Sequence, residues 1–253
     1  MAVSAAQTPP VGEVIAARCR EVGVPLLVEG RQIRVEAVRS DLGGHRLHLS
    51  IEGMGPRWAL FDVELALAGL FQPANAALAV AAVRAFAGAT GLDVPDTAVR
   101  AGCAGVRWPG RFQVLGGVGR PPRPIIFLDG AHNPIGAAAL GASLRYYFPG
   151  ASVTLVLGIS ADKDRAGILK ALAPVATRLV LTAAANPRAT PPAELAAELP
   201  PLEAEVVVAP DAAQALAVAL GDPGTDVVCV AGSLFLVGDA LRWLQDRGLG
   251  GDR

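Results

Sequence analysis

Ile125-Ile126-Phe127-Leu128-Asp129-Gly130-Ala131-His132-Asn133-Pro134 is an apolar run that closes on an acid, a glycine, an imidazole and an amide, and then opens an alanine-rich stretch. A short apolar run bounded by turn residues predicts a buried strand, and Asn followed by Pro predicts a helix start. In an open α/β sheet such strand-to-helix turns lie at the carboxyl ends of the strands, where ligands bind. A helix N-terminus at that place also offers unpaired backbone N–H groups to an anion. A purely structural turn would need Asp129 and Asn133 only as helix caps. Gly130 and His132 between them ask for more than capping.

The same unit recurs downstream. Apolar strands are predicted at residues 125–128, 153–157, 179–181, 206–208 and 227–230. Each precedes a helical segment, at 135–147, 165–172, 192–199, 212–220 and 234–244. Successive β-then-α units predict an α/β, Rossmann-like, mostly parallel sheet with helices on both faces. Right-handed crossovers then place every strand's carboxyl end on one edge. That edge carries Asp129 and His132, Gly158 with Asp162-Lys163-Asp164, Asn186 with Arg188, Pro210-Asp211, and Gly232-Ser233. An acid, a histidine, a lysine, an arginine and a serine on one rim point to a ligand site.

Upstream, the pattern is less regular. A helix is predicted from Val11 to Val22 after Pro9-Pro10, then short strands at 26–28, 33–35 and 45–51 with glycine turns between them. Alanine-rich helices follow at 73–87 and 93–102. The string Arg107-Trp108-Pro109-Gly110-Arg111-Phe112 marks a boundary, with 1–106 on one side and 107–253 on the other. One of its arginines, reaching into an interdomain cleft, would suit a phosphate or carboxylate with its forked guanidinium.

Composition narrows the function classes. The 253 residues are 52% apolar and 18% charged, enough for a sizeable core. A net charge of −1 gives no electrostatic case for nucleic acid or an anionic membrane as partner. The three cysteines, Cys19, Cys103 and Cys229, form no C-x-x-C pair, which argues against a zinc knuckle or a disulfide framework. Without a basic start followed by an apolar run, or a span long enough to cross a bilayer, the expected place is the cytoplasm.

Several familiar sites are missing from the sequence. No G-x-x-x-x-G-K-[ST] phosphate loop occurs, no G-x-G-x-x-G opens a helix after a strand, and there is no G-x-S-x-G elbow. Gly116-Gly117-Val118-Gly119 before Pro121-Pro122 is expected to be a hairpin turn. His45 and His48 sit in an alternating strand on opposite faces and are poor joint metal ligands. Gln72 and Asn75 open a helix, where capping is their simplest role.

Six strings together resemble the Mur ligase superfamily, most closely its folylpolyglutamate synthase/dihydrofolate synthase branch. They are Gln72-Pro73-Ala74-Asn75-Ala76-Ala77, Trp108-Pro109-Gly110-Arg111-Phe112, Asp129-Gly130-Ala131-His132-Asn133-Pro134, Gly158 with Asp162-Lys163-Asp164, Asn186-Pro187-Arg188-Ala189, and Ala231-Gly232-Ser233-Leu234-Phe235-Leu236-Val237-Gly238. The second and third are specific to the folate branch. The resemblance implies an ADP-forming ligase that phosphorylates a carboxylate of a dihydropteroate or folate with ATP and Mg2+. L-glutamate then attacks the acyl phosphate to form an amide.

By the same resemblance, Asn75 would face the nucleotide base and Arg111 the ATP phosphates from a hinge. Asp129 would hold the nucleotide near its ribose, and His132 would stand between the phosphates and the incoming glutamate. Ser233 is a weaker candidate for contacting glutamate, and Lys163 and Arg188 share the rim. The resemblance makes 1–106 the trailing part of a central ATPase domain and 107–253 a complete C-terminal glutamate ligase domain. The phosphate loop and the magnesium ligands belong to an N-terminal region that nothing here resembles, so no metal ligand is expected in this chain. An ATPase portion without its central strands would leave sheet edges unpaired. Residues 1–106 are therefore expected to be less ordered than the rest or to pack in dimers, and, for want of the phosphate loop, the chain is expected to be inactive unless joined by a separate half carrying it. A non-catalytic nucleotide- or glutamate-binding module, and a portion of a peptidoglycan-branch ligase, are the alternatives.

Overall fold

A computed structural model describes residues 1–115 and 124–249, so the Gly116–Gly119 turn and Pro121-Pro122 lie outside the described residues. The chain divides into two compact units, Met1–Arg107 and Trp108–Arg253.

The first unit opens with strand β1 (Ala2–Ser4), helix α1 (Pro9–Glu21) and strand β2 (Leu26–Val28), a parallel pair joined through a helix. Strands β3 (Ile33–Asp41), β4 (Gly44–Ile51) and β5 (Trp58–Leu65) form an antiparallel meander. Helices α2 (Gln72–Thr90) and α3 (Asp96–Gly105) pack on it. The alternation in β4 decides which face is covered: His45, Leu47, Leu49 and Ile51 are buried, while Arg46 and His48 are partly exposed. Ile33, Leu60, Val63 and Leu65 join that buried face, which meets Ala77, Val80, Ala81, Val99 and Cys103 from the helices. The other face is laced by charge pairs such as Arg46 with Glu64 at 2.8 Å.

The second unit is the expected α/β sheet. Its strands are β6 (Gln113–Leu115), β7 (Ile125–Leu128), β8 (Val153–Leu157), β9 (Arg178–Leu181), β10 (Glu205–Val208) and β11 (Val227–Ala231). Between and after the parallel strands run α4 (Pro134–Tyr147), α5 (Arg165–Leu172), α6 (Pro192–Ala197), α7 (Ala212–Gly221) and α8 (Leu234–Gln245), with a short 3-10 turn at Ala173–Val175. The strand order is β10-β9-β8-β11-β7-β6, parallel throughout except for β6. Steps from β7 through β10 all move one way along the sheet, and the step to β11 reverses. Right-handed crossovers therefore place α4 and α5 on one face and α7 on the other. In agreement, α4 packs on α5 and α7 on α8.

Burial explains why this sheet forms. Every residue of β8 and β11 is buried, as a parallel strand covered on both faces requires. On one side Val156, Val180, Val228 and Val230 meet Ala215, Leu216, Leu236, Ala240 and Leu244 of α7 and α8. By alternation Leu155, Leu157, Leu179 and Leu181 face the other helix layer. Each such leucine or valine is worth about 1.5–3 kcal/mol in removal from water. Cys229, at the sheet centre, behaves as a small apolar residue whose thiol burial pushes far up.

Strands β1, β5 and β6 go beyond the sequence expectation. The three-residue β1 and β6 are too short to show a period, and they form because a neighbouring strand offers an edge. Strand β5 breaks its own alternation at a bulge beside Asp62, whose φ is 53°.

Candidate functional site

The β11 strand separates β7 from β8, so the direction of winding changes there, and ligand sites of open α/β sheets form at such points. The carboxyl end of β7 leads into Asp129, Gly130, Ala131 and His132; that of β11 leads into Gly232 and Ser233; that of β8 leads into Gly158.

Asp129 is 3% exposed. Its Oδ1 accepts from Ala131 N and its Oδ2 from Phe112 N, both at 2.8 Å. Burial pushes its carboxyl above the usual carboxylate range, while the two N–H donors and the charges of Arg111 and His132 pull it back. Asp129 is thus no helix cap. Asn133 is: its Oδ1 accepts from Gly136 N at 2.8 Å and starts α4.

Arg111 sits in a compact turn. Gly110 has φ 71° and its carbonyl accepts from Gly130 N at 2.8 Å. Phe112 has φ 46°, an uncommon backbone state for a bulky residue, and its ring lies 4.9 Å from Phe127 and 5.5 Å from Tyr147. A Cβ on Gly130 would fall 3.1 Å from Arg111 Nη1, so the guanidinium lies close over that glycine. His132 is half-buried, and its Nδ1 lies 2.8 Å from Gly130 O. A carbonyl only accepts, so Nδ1 carries a proton and Nε2 is the ring nitrogen left to meet a ligand. Arg111, Asp129, Gly130 and His132 are therefore one constellation, combining a cation and a directed imidazole.

Ser233 caps α8, accepting from Phe235 N at 3.2 Å, and is 4% exposed. Its neighbours Leu234 and Phe235 stand half out of the surface. The guanidinium carbon of Arg188 lies 5.2 Å from the Phe235 ring centre. Lys163 pairs with Asp162 at 3.0 Å and pulls that carboxyl below its usual range. The loops holding them are stitched: Ala161 N donates to Arg188 O at 2.8 Å.

Much of the rim's polarity has a structural share. Asn133, Asp164, Asp211 and Ser233 each cap the helix that follows. That leaves Arg111, His132, Lys163 and Arg188 as the groups able to meet a ligand's charge. Phe112, Leu234 and Phe235, which the sequence offers only as neighbours of Arg111 and Ser233 in the quoted strings, also lie at this rim.

Asn75 belongs to the first unit, in the first turn of α2, and is exposed. The capping role expected of Gln72 and Asn75 does not hold. The N-cap is Phe71, without a side-chain bond, and Asn75 Nδ2 donates to Gln72 Oε1 at 3.2 Å. His45 and His48 stay on separate faces; His45 is bonded to Ser40 and Gly69. Among the described residues no group of three His, Cys, Asp or Glu side chains could hold a metal ion. Among them also, no helix is long and apolar enough to cross a membrane.

Comparison with known proteins gives a family match whose range includes these residues. Residues 110–234 match the family described as Mur ligase, glutamate ligase domain. Over those residues the chain carries a Mur ligase glutamate ligase domain. The chain is 38% identical over 190 residues to the Mycobacterium tuberculosis dihydrofolate synthase/folylpolyglutamate synthase, covering 75% of this chain and 37% of that protein. The structure of a Mycobacterium tuberculosis folylpolyglutamate synthase complexed with ADP superposes with a TM-score of 0.79 at 32% identity, over 99% of this chain and 55% of that one. An Escherichia coli structure in complex with DHPP and ADP gives a TM-score of 0.79 at 26% identity, over 97% and 54%. The chain spans about half the length of the solved relatives it matches.

Proposed function

We propose that this chain is the glutamate-ligase portion of an ATP-dependent amide ligase that adds L-glutamate to dihydropteroate or to a (tetrahydro)folate. The observation that carries the proposal is the Arg111–Asp129–Gly130–His132 constellation at the end of β7, in a chain whose relatives are folylpolyglutamate synthases. Two of those relatives are described in complex with ADP.

The chemistry makes definite demands. The acceptor's carboxylate attacks the γ-phosphorus of ATP and expels ADP, giving an acyl phosphate. The glutamate amine then attacks the acyl carbon and expels phosphate. Both steps crowd negative charge between two reactants held in line, so catalysis is positioning and charge stabilisation. Arg111 would meet the phosphates. Asp129 would belong to the nucleotide site and Asn75 would face the base. His132 would orient the incoming amine through Nε2 as an acceptor, or stabilise the departing phosphate as an N–H donor. Ser233 starts α8, whose first backbone N–H groups suit a glutamate carboxylate.

ATP fits the donor set, an arginine and an imidazole beside a glycine that leaves room for the guanidinium. Mg2+ supplies charge neutralisation on the phosphates when bound, and the described residues do not form a set that would hold it. Without a phosphate-loop sequence, the β- and γ-phosphates lack a backbone cradle in this chain. Turnover is therefore expected only when a separate half carrying that loop is supplied.

The test is glutamate-dependent ADP release from ATP with a pteroate or folate acceptor, run on the chain alone and with a separately produced phosphate-loop half. Release only in the mixture is the expected result. Release from the chain alone would overturn the requirement for a second half. Silence in both from folded protein would overturn the ligase reading.

A further inference from the structure

Helix α8 meets the three loops of the rim through residues of its first two turns. Leu234 lies against Gly130 after β7, and Leu236 lies against Gly158 after β8. Both contacts are apolar and depend on a glycine. The loop after β9, residues 182–189, is held by polar means. Ala185 N donates to Asp239 Oδ2 at 2.7 Å, and the Arg188 guanidinium carbon lies 5.2 Å from the Phe235 ring centre. Arg242 pairs with the other Asp239 oxygen. Phe235, Asp239 and Arg242 are spaced i, i+4, i+7, which puts them on one face of the helix. That face grips the Arg188 loop.

The grip matters because Arg188 keeps its charge available. Lys163 is already paired with Asp162. Arg188 is exposed and, among the described residues, forms no ion pair. An aromatic face attracts a guanidinium without using up its N–H donors. Ordering a free arginine side chain at the moment of binding costs affinity, and a side chain seated beforehand avoids that cost.

We infer that Asp239 and Phe235 are positioning residues: Asp239 holds the loop at Ala185 and Phe235 seats the Arg188 guanidinium, so that this cation stands beside the start of α8, ready for a carboxylate of the incoming amino acid. The inference rests on the proposal that the rim takes L-glutamate. That substrate carries two carboxylates, and the backbone N–H groups that follow Ser233 suit one of them.

Two measurements test this. The Arg188 Nε–H resonance is recorded in wild type, Asp239→Ala, Asp239→Asn and Phe235→Leu, together with the exchange rate of the Ala185 amide. The ring of Phe235 displaces the resonance of a group seated over its face. The expected result is a displaced Arg188 signal in wild type and in D239N, whose amide oxygen still accepts from Ala185 N. The displacement should be gone in D239A and F235L. A D239A signal at the wild-type position, or a D239N signal moved as far as that of D239A, would overturn the hold through Ala185. Wild-type exchange decides the same point without a variant. Ala185 is exposed, so an amide exchanging at the rate of an unstructured peptide would also overturn it.

The second measurement is L-glutamate affinity by calorimetry for wild type, D239A, D239N, Arg188→Ala and the D239A/R188A double variant, with ADP as control. D239A is expected to weaken L-glutamate about tenfold. It should leave ADP unaffected and add nothing once Arg188 is gone, while D239N keeps the wild-type affinity. Equal losses for L-glutamate and ADP, or a full D239A loss in the R188A background, would overturn the inference. Failure of the wild-type protein to take up L-glutamate would instead count against the glutamate role of the rim. The Arg188 signal and the Ala185 exchange still decide whether α8 positions that arginine.

Discussion

Gly130 and Leu234 share space that holds only one side chain: a Cβ on Gly130 would fall 2.3 Å from Leu234 Cδ2 and 2.9 Å from its Cγ. The loop after β7 and the start of α8 are in contact because residue 130 has no side chain. In Gly130→Ala, Leu234 must swing outward, which its half-exposed position allows, so the expected cost is about 1–3 kcal/mol. Arg111 is crowded by the same methyl, and ADP affinity should fall together with the melting temperature. Unchanged melting and affinity would show that the contact has no role.

Gly232 gives a harsher case. Its φ is 98°, and an added Cβ would meet Gly158 O at 2.7 Å and Leu157 Cδ1 at 2.8 Å. The main obstacle is backbone, which cannot swing away. Strain of this kind costs about 1–3 kcal/mol before the clash is counted. Gly232→Ala is therefore expected to lose more stability than Gly130→Ala by chemical denaturation. An equal or smaller loss would contradict the close approach of the β8 and β11 ends.

His45 supplies a pH dependence with a defined sign. It is buried, its Nε2 lies 3.0 Å from Gly69 O and its Nδ1 2.8 Å from Ser40 Oγ, an arrangement that suits the neutral ring. Burial lowers its titration in the native state, against partial opposition from Gly69 and Asp41. Between that lowered value and the unfolded value of about 6.5, the unfolded chain binds a proton that the native chain refuses. Stability from this residue is present above about pH 6.5 and is lost as pH falls through the window. In His45→Gln, denaturation midpoints should lose this slope; a slope identical to that of wild type would disprove the assignment.

Leu155 lies fully buried in the central part of the sheet, in register with Cys229 on one side and Leu179 on the other. Leu155→Ala should cost about 2–5 kcal/mol, the spread reflecting how far the helices can close the void. Loss of the native sheet signal in circular dichroism at growth temperature would mark the upper end; a cost below 1 kcal/mol by denaturant titration would contradict the tight packing.

The parallel sheet was legible because its strands are apolar on both faces. Runs such as Val153–Leu157 and Val227–Val230 stand out against a polar background, and the caps Asn133, Asp164, Asp211 and Ser233 mark where α4, α5, α7 and α8 begin. The rim residues followed from the same pattern, since they come directly after those runs. The first unit was less transparent. The β5 strand carries Phe61, Asp62 and Glu64 outward and a bulge in its middle, so no clean period of two survives. Nor could the double use of Asp129 be read in advance. It depends on Phe112 adopting a positive φ at a position where the residue type argues against one.

The placement of β11 between β7 and β8 has a consequence for how the protein is made. Within the second unit, the first two parallel strands in chain order, β7 and β8, do not pair with each other; both pair with β11. Until Val227–Ala231 is in place, the lane between β7 and β8 has no strand to fill it, so this sheet closes only after its other parallel strands have been made. A stop codon upstream of that strand would leave two sheet fragments with no seam to join them, a product for proteases rather than a shortened fold.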